Sequence, residues 1–320
     1  MTAAPTRPPR PLTAAVLRLA EQPLTADRDA GLAARFVATM DTQLRVLLDQ
    51  QRRVGDLADP EAVHQMRVAI RRLRVALRVG TDTVGPAGDE LRVELSWLAG
   101  ELGTVRDLDV LAERLGAAAD TLGTADADGV NQLLTALHDA RVNTRTTLRA
   151  VLDADRYRVL LRALAKQIRT TVTDVPDVPE PTAVQPTDPL SLLDRPLRKL
   201  RRAVAAAGAS ASDEQLHILR IKGKRLRYAA ELALGLCERR QRKPLRRLIS
   251  SAKDLQEVLG DHHDTVTAET WLRESGTRLP GPAVLVAGRI LERELTLRAA
   301  YEAEWPQAWQ ELDQRARALD

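Results

Sequence analysis

The chain has 320 residues, 44% hydrophobic and 29% charged, enough to bury a sizeable core. With only 2% aromatics the core must be Leu, Val, Ala and Ile, and the abundance of Ala, Leu and Arg favours an all-α fold. A net charge of +4 excludes a generic polycation, and the single Cys237 excludes an internal disulfide or a multi-cysteine zinc site.

Residues 1–26, rich in Pro, Ala and Thr, are expected to be disordered, with a short helix near 12–20. Arg18 interrupts the apolar stretch LTAAVLRLA, which makes it a poor signal peptide. No window approaches 18 uncharged apolar residues, so no membrane span and no membrane partner are expected. One cysteine fits a reducing cytosol, and a cytoplasmic protein is expected.

Helical periodicity runs over 27–172, broken at GDLADP (55–60), TVGPAG (83–88) and GTADADG (123–129). The stretch 173–189, TDVPDVPEPTAVQPTDP, cannot be helical, because proline lacks an N–H and restricts its predecessor. It reads as a linker. Helical periodicity resumes over 190–320, with breaks at AGASAS (207–212) and GTRLPGP (276–282).

The two halves resemble each other. VHQMRVAIRRLR (63–74) is echoed by LHILRIKGKRLR (216–227), and ELGTVRDLDV (101–110) by VLGDHHDTV (258–266). His64 aligns with His217, Arg67 with Arg220, Arg71 with Lys224, Arg74 with Arg227, Gly103 with Gly260 and Asp107 with Asp264. Both basic segments open on a cap signal, Asp59 before Pro60–Glu61 and Ser212 before Asp213–Glu214. The repeat argues for internal duplication.

At about 100° per residue, His64, Arg67, Arg71, Arg74 and Arg78 fall within about 80° of one another, beside a stripe of Met66, Ile70, Leu73 and Leu77. His217, Arg220, Lys224 and Arg227 occupy the matching arc, beside Leu216, Leu219 and Leu226. Neither stretch contains an acid. Like charges at i,i+3 and i,i+4 cost roughly 0.2–0.5 kcal/mol per pair, so three such pairs in the first stripe cost about 1 kcal/mol. A solvated face usually mixes signs, and these do not. An external polyanion would neutralise them, since guanidinium forks hold phosphate oxygens and histidine adds a titratable donor. The competing internal partner is an acidic arc of Asp254, Glu257, Asp261 and Asp264. Further cations stand in RPLRKLRR (195–202) and RRQRKPLRR (239–247); Arg45 and Arg198 join the candidates because QLR (43–45) matches PLR (196–198).

At these residues the sequence resembles the CHAD family, the histidine-containing α-helical domains, from about 27 to 318. The matching motifs are HQMRVAIRRLR, HILRIKGKRLRYAAEL and LGTVRDLDVL. The resemblance implies two helical bundles related by a pseudo-twofold axis and a basic surface that binds inorganic polyphosphate. By motif matching the implied ligands are His64, Arg67, Arg71 and Arg74 with His217, Arg220, Lys224 and Arg227. Many members of the family are fused to a triphosphate-processing CYTH domain with an E-x-E-x-K strand. The nearest match here, ERELT (292–296), lacks the lysine, so a non-catalytic binding module is expected, without cofactor or metal, and association with polyphosphate granules is the expected localisation within the cytoplasm.

Two other readings compete. The His262–His263–Asp264 run suggests an HD-type metal-dependent phosphohydrolase, but the first half has VRD there, and adjacent side chains on a helix diverge by about 100°. A nucleic-acid binder would need grooves or stacking platforms to be read, and the basic helices offer only Tyr228, so no specific nucleic acid is expected. Tyr228 and Trp97 read as core, and Asp107 and Asp264 as groups that orient basic side chains from behind.

Overall fold

The computed structural model describes residues 12–26, 32–54, 56–57, 59–79, 87–174, 189–208 and 210–319. Of the linker expected at 173–189, residues 175–188 lie outside them, whereas Thr173 and Asp174 are helical, before the first proline, and Pro189 opens a 3-10 turn. Of the break expected at 83–88 only Ala87 and Gly88 are described, at the start of a helix. The described residues form nine α-helices and no strand: α1 (Leu32–Gln50), α2 (Pro60–Val79), α3 (Ala87–Ala119), α4 (Ala127–Asp153), α5 (Asp155–Asp174), α6 (Asp194–Ala207), α7 (Asp213–Leu236), α8 (Arg239–Gly276) and α9 (Gly281–Arg317). The fold is all-α, as expected. Both stretches of chain run in the same order: a short helix, a basic helix, a long helix, then a return. The return is α4 and α5, separated at Ala154, in the first stretch and the single helix α9 in the second.

The chain divides into two compact units, residues 1–112 with 135–180, and residues 113–134 with 181–320. This differs from a simple split into 27–172 and 190–320. The turn joining α3 to α4 carries side chains suited to α9. Arg114 pairs with the buried Glu294 at 2.6 Å, and Arg289 pairs with Asp126. Gly129 lies so close to the Pro282 carbonyl that no Cβ fits there.

In the first unit, α2 buries Met66, Ile70, Leu73 and Leu77 with Met40, Leu44 and Leu47 of α1 and Leu95, Leu98 and Leu102 of α3. Burying each such side chain contributes roughly 1.5–3 kcal/mol. The expected disorder of the N-terminal segment does not hold for residues 12–26. Leu12 and Leu17 are buried in this core, and the Leu24 amide donates to Asp41 at 2.9 Å. The expected helix there is reduced to a turn at 14–18, and Arg18 takes a positive φ of 55°. Residues 1–11 and 27–31 lie outside the described part.

In the second unit α7 packs on α6 and α8, and α8 on α9. Its core gathers Leu200, Leu216, Leu219, Leu226, Leu245, Leu248 and Leu255 with Trp305. No helix among the described residues is long and apolar enough to cross a membrane.

Candidate functional site

The four apolar residues of α2 fix the helix's rotation, and the basic stripe follows from it. His64, Arg71 and Arg78 are exposed, while Arg67 and Arg74 are half-buried. Arg67 lies across α3 at Gly103, where a Cβ would stand 3.1 Å from its Nη1. Arg45, the candidate on α1, does not join this stripe. Its Nε pairs with the buried Asp41 at 2.8 Å and its Nη2 donates to the Ala20 carbonyl at 2.7 Å. Arg45 pins the N-terminal segment instead.

The second basic helix begins where its cap signal lies. Ser212 accepts from the Gln215 amide, and the Gln215 side chain accepts from the Ser212 amide, a reciprocal capping box. Leu216, Leu219 and Leu226 are buried, and His217, Arg220, Lys224 and Arg227 are all half-buried. Arg220 lies at Gly260 of α8, whose Cβ position is 3.9 Å from its Nε. The two glycines matched in sequence thus face the two matched arginines, each within its own unit. A small residue on the long helix leaves space for a guanidinium.

His263 belongs to this second cluster, which the sequence reading missed. Its ring centroid is 5.1 Å from that of His217. Burial, then the positive charges of Arg220, His217 and Lys224, push its pKa down to about 4. The signal available in the sequence was the alignment of His263 with Arg106, a cation in the same register. The Nε atoms of Arg220 and Arg227 are buried without a hydrogen-bond partner, and the carboxylate nearest Arg227 Nε, that of Glu231, is 3.7 Å away. Tyr228 is 37% exposed rather than core, with the Arg227 guanidinium 5.0 Å from its ring centre. Trp97 is partly buried against the first core, under Arg156.

The acidic arc of α8 does not close over this cluster as one body. Asp254 and Glu257 are exposed, and Asp261 stands close enough to Tyr301 of α9 to help burial raise that phenol's pKa. Asp107 is exposed and Asp264 half-buried, and both are engaged by neighbours. Arg198 sits in a positive neighbourhood, unlike its counterpart Arg45. Lys199 beside it holds its proton less tightly because of Arg195 above all, with Arg225, Lys222 and Arg198 contributing.

The His262–His263–Asp264 run does not converge. His263 faces His217, whereas His262 is buried on another side, its Nε2 3.4 Å from Asp213 and 3.5 Å from Glu302. Asp213, His262 and Glu302 are near enough to share a cation. A cation is already there: Arg298 donates to both Asp213 oxygens at 2.8 Å, to Glu269 at 2.8 Å and to Glu302 at 3.0 Å. The set fits a guanidinium held among carboxylates, and only two of its members belong to helices that carry the phosphohydrolase motif or the basic stripe.

Residues 38–273 match the model of the CHAD domain. The chain belongs to the CHAD family. It is 30% identical over 271 residues to uncharacterized proteins from two strains of Mycobacterium tuberculosis, covering 80% of this chain and 49% of theirs. It therefore spans about half the length of those relatives. The crystal structure of the CHAD domain from the plant Ricinus communis superposes with a TM-score of 0.61 at 28% identity, over 93% of this chain and 94% of that one. PptA from Streptomyces chartreusis shares the fold with the same TM-score of 0.61 at 22% identity, over 87% and 98%. CHAD domains in general bind polyphosphate.

Proposed function

We propose that this CHAD domain binds inorganic polyphosphate without catalysis, through the His/Arg stripe of α2 in the first unit and that of α7 in the second. The observation that carries this is the cluster of His217, Arg220, Lys224 and His263. The His217 and His263 rings stand 5.1 Å apart beside Arg220 and Lys224, and burial first, then these neighbouring positive charges, lowers the His263 pKa. A phosphate chain placed on them relieves that repulsion and supplies acceptors, each charge-assisted hydrogen bond contributing roughly 1.5–3 kcal/mol. His64, Arg67, Arg71, Arg74 and Arg78 would act likewise on α2, and Arg198 beside α7. Family membership supports the ligand class. The scarcity of aromatics on both stripes supports phosphate over stacked bases. Cytoplasmic location, with recruitment to polyphosphate granules, follows from this reading.

The test is a titration of the purified protein with polyphosphate, single-stranded DNA, RNA and orthophosphate at one salt concentration. Polyphosphate should bind tightest, and Arg67→Glu with Arg220→Glu should weaken it at least tenfold while helicity is kept. Equal or tighter binding of DNA, or wild-type affinity in the folded double variant, overturns the proposal. Polyphosphate incubated with the protein and Mg2+ or Mn2+ should keep its length; metal-dependent phosphate release lost in His263→Ala would make the protein a phosphohydrolase.

A further inference from the structure

The run RRQRKPLRR forms the first turns of α8, and the stripes just described make no use of it. Taking Arg239 as the origin and about 100° per residue, Arg239, Arg240, Arg242, Lys243, Arg246 and Arg247 spread over an arc of about 160°. All six are exposed. Leu245 and Leu248 lie on the other side of the helix and Ile249 at the edge of the arc, and all three are buried. Nothing apolar or aromatic therefore breaks the basic face. The helix N-terminus adds its own partial positive charge.

Little inside the protein offsets this charge. Arg240 pairs with Glu238 at 3.1 Å, but both are largely exposed, and such pairs contribute little. Arg242 donates to the Cys237 carbonyl. Arg239, Lys243, Arg246 and Arg247 have no acidic partner among the described residues. The six cations run from Arg239 to Arg247, eight steps of about 1.5 Å, about 12 Å in all. Beyond them stand the exposed acids Asp254 and Glu257.

This face is separate from the α7 stripe. Gly260 meets Arg220 and Leu255 meets Gly223, so the stripe lies against the middle of α8. From Gly260 back to Lys243 is seventeen residues, about 25 Å along the helix, and between the nearer ends, Leu255 and Arg247, eight residues, about 12 Å. A compact anion cannot touch both places. A linear one can.

We propose that the face of Arg239, Arg240, Arg242, Lys243, Arg246 and Arg247 is a second anchoring site for long-chain polyphosphate, engaged by the part of the chain that extends beyond the α7 stripe. The inference rests on the polyphosphate reading of that stripe. The chemistry selects a bare phosphate chain. Five of the six cations are arginines, whose planar forks match phosphate oxygens. The face offers no ring for stacking bases and no apolar side chain for entering a bilayer. Two contacts on the packed helices α7 and α8 make the second engagement intramolecular, which raises affinity only for ligands long enough to span them.

The experiment compares wild type, Arg220→Glu and the triple variant Lys243→Glu/Arg246→Glu/Arg247→Glu in the full chain, with circular dichroism as the folding control. The probes are long-chain polyphosphate, tripolyphosphate, single-stranded DNA and vesicles of phosphatidylserine and phosphatidylcholine. The triple variant should bind long chains at least tenfold more weakly, with tripolyphosphate affinity within twofold of wild type. Its slope of log affinity against log salt should fall by about 2, from about 0.7 for each of three lost ionic contacts. Long-chain affinity within twofold of wild type in the triple variant, while Arg220→Glu weakens it, overturns this proposal and leaves the stripe standing. Loss in the triple variant with no change in Arg220→Glu upholds the α8 face and removes the stripe. Equal loss for tripolyphosphate overturns the claim of a separate anchor for long chains. Binding to DNA or vesicles that exceeds polyphosphate binding and disappears in the triple variant overturns the choice of ligand.

Discussion

Gly103 and Gly260 lie inside helices α3 and α8, so replacing either by alanine gains helix propensity of roughly 0.8–1 kcal/mol. What the new methyl meets differs. At Gly260 it stands 3.9 Å from Arg220 Nε, an ordinary contact. At Gly103 it stands 3.1 Å from Arg67 Nη1, so the guanidinium must yield by a few tenths of an ångström. Gly260→Ala should keep the whole gain, raising Tm by about 2–4 °C for a unit of this size. In Gly103→Ala, side-chain strain of about 0.5–1.5 kcal/mol offsets most of the gain, so Tm should move little. Polyphosphate affinity should separate the pair further. Gly260→Ala should bind within twofold of wild type. Gly103→Ala should bind about 3–10-fold more weakly, because part of a contact of about 1.5–3 kcal/mol is lost. Calorimetry gives Tm and titration gives affinity. A lower Tm in Gly260→Ala, or wild-type binding in both Gly103→Ala and the bulkier Gly103→Leu, would refute the idea that these glycines make room for the arginines.

Asp109→Asn should cost about 3–5 kcal/mol in urea denaturation, because Arg145, 2% exposed, loses the carboxylate it contacts at 2.9 Å; a loss under about 1 kcal/mol would show that the pair is not buried. Ser212→Ala should cost about 1 kcal/mol by opening the capping box, and an unchanged urea midpoint would count against it. His263 has a folded pKa of about 4 against 6.5 for the free side chain, so between those values the unfolded chain binds more protons. The His263 contribution to stability should be complete above about pH 6.5 and decline as pH falls toward about 4. His263→Gln should flatten that decline relative to wild type in thermal melts. Phosphate placed on the cluster should also raise the His263 pKa, so binding between pH 5 and 6 should take up protons in wild type and fewer in His263→Gln; titration calorimetry in buffers of different ionisation enthalpy measures this.

The helical class, both basic stripes and the Ser212 cap were legible in the sequence, since each depends on spacings of three or four residues within one helix. So were the apolar residues beside the stripes: Met66, Ile70, Leu73 and Leu77 are all buried, as the period requires. Tertiary structure decided what each face meets. Adjacent histidines look alike in the chain, yet His263 joins His217 and His262 is buried against Asp213 and Glu302, because α8 is wedged between α7 and α9. Arg45 and Arg198 align in sequence, but only Arg45 has a buried aspartate one turn away and carbonyls of the N-terminal segment within reach. The ordering of residues 12–26 and the grouping of 113–134 with the second unit depend on Leu17 finding a core and Arg114 finding Glu294, partners distant in the chain. Local periodicity carries the rotation of a helix about its own axis, but not the identity of the helix packed against it, and that pairing is what leaves one cation in a basic cluster and makes another a brace.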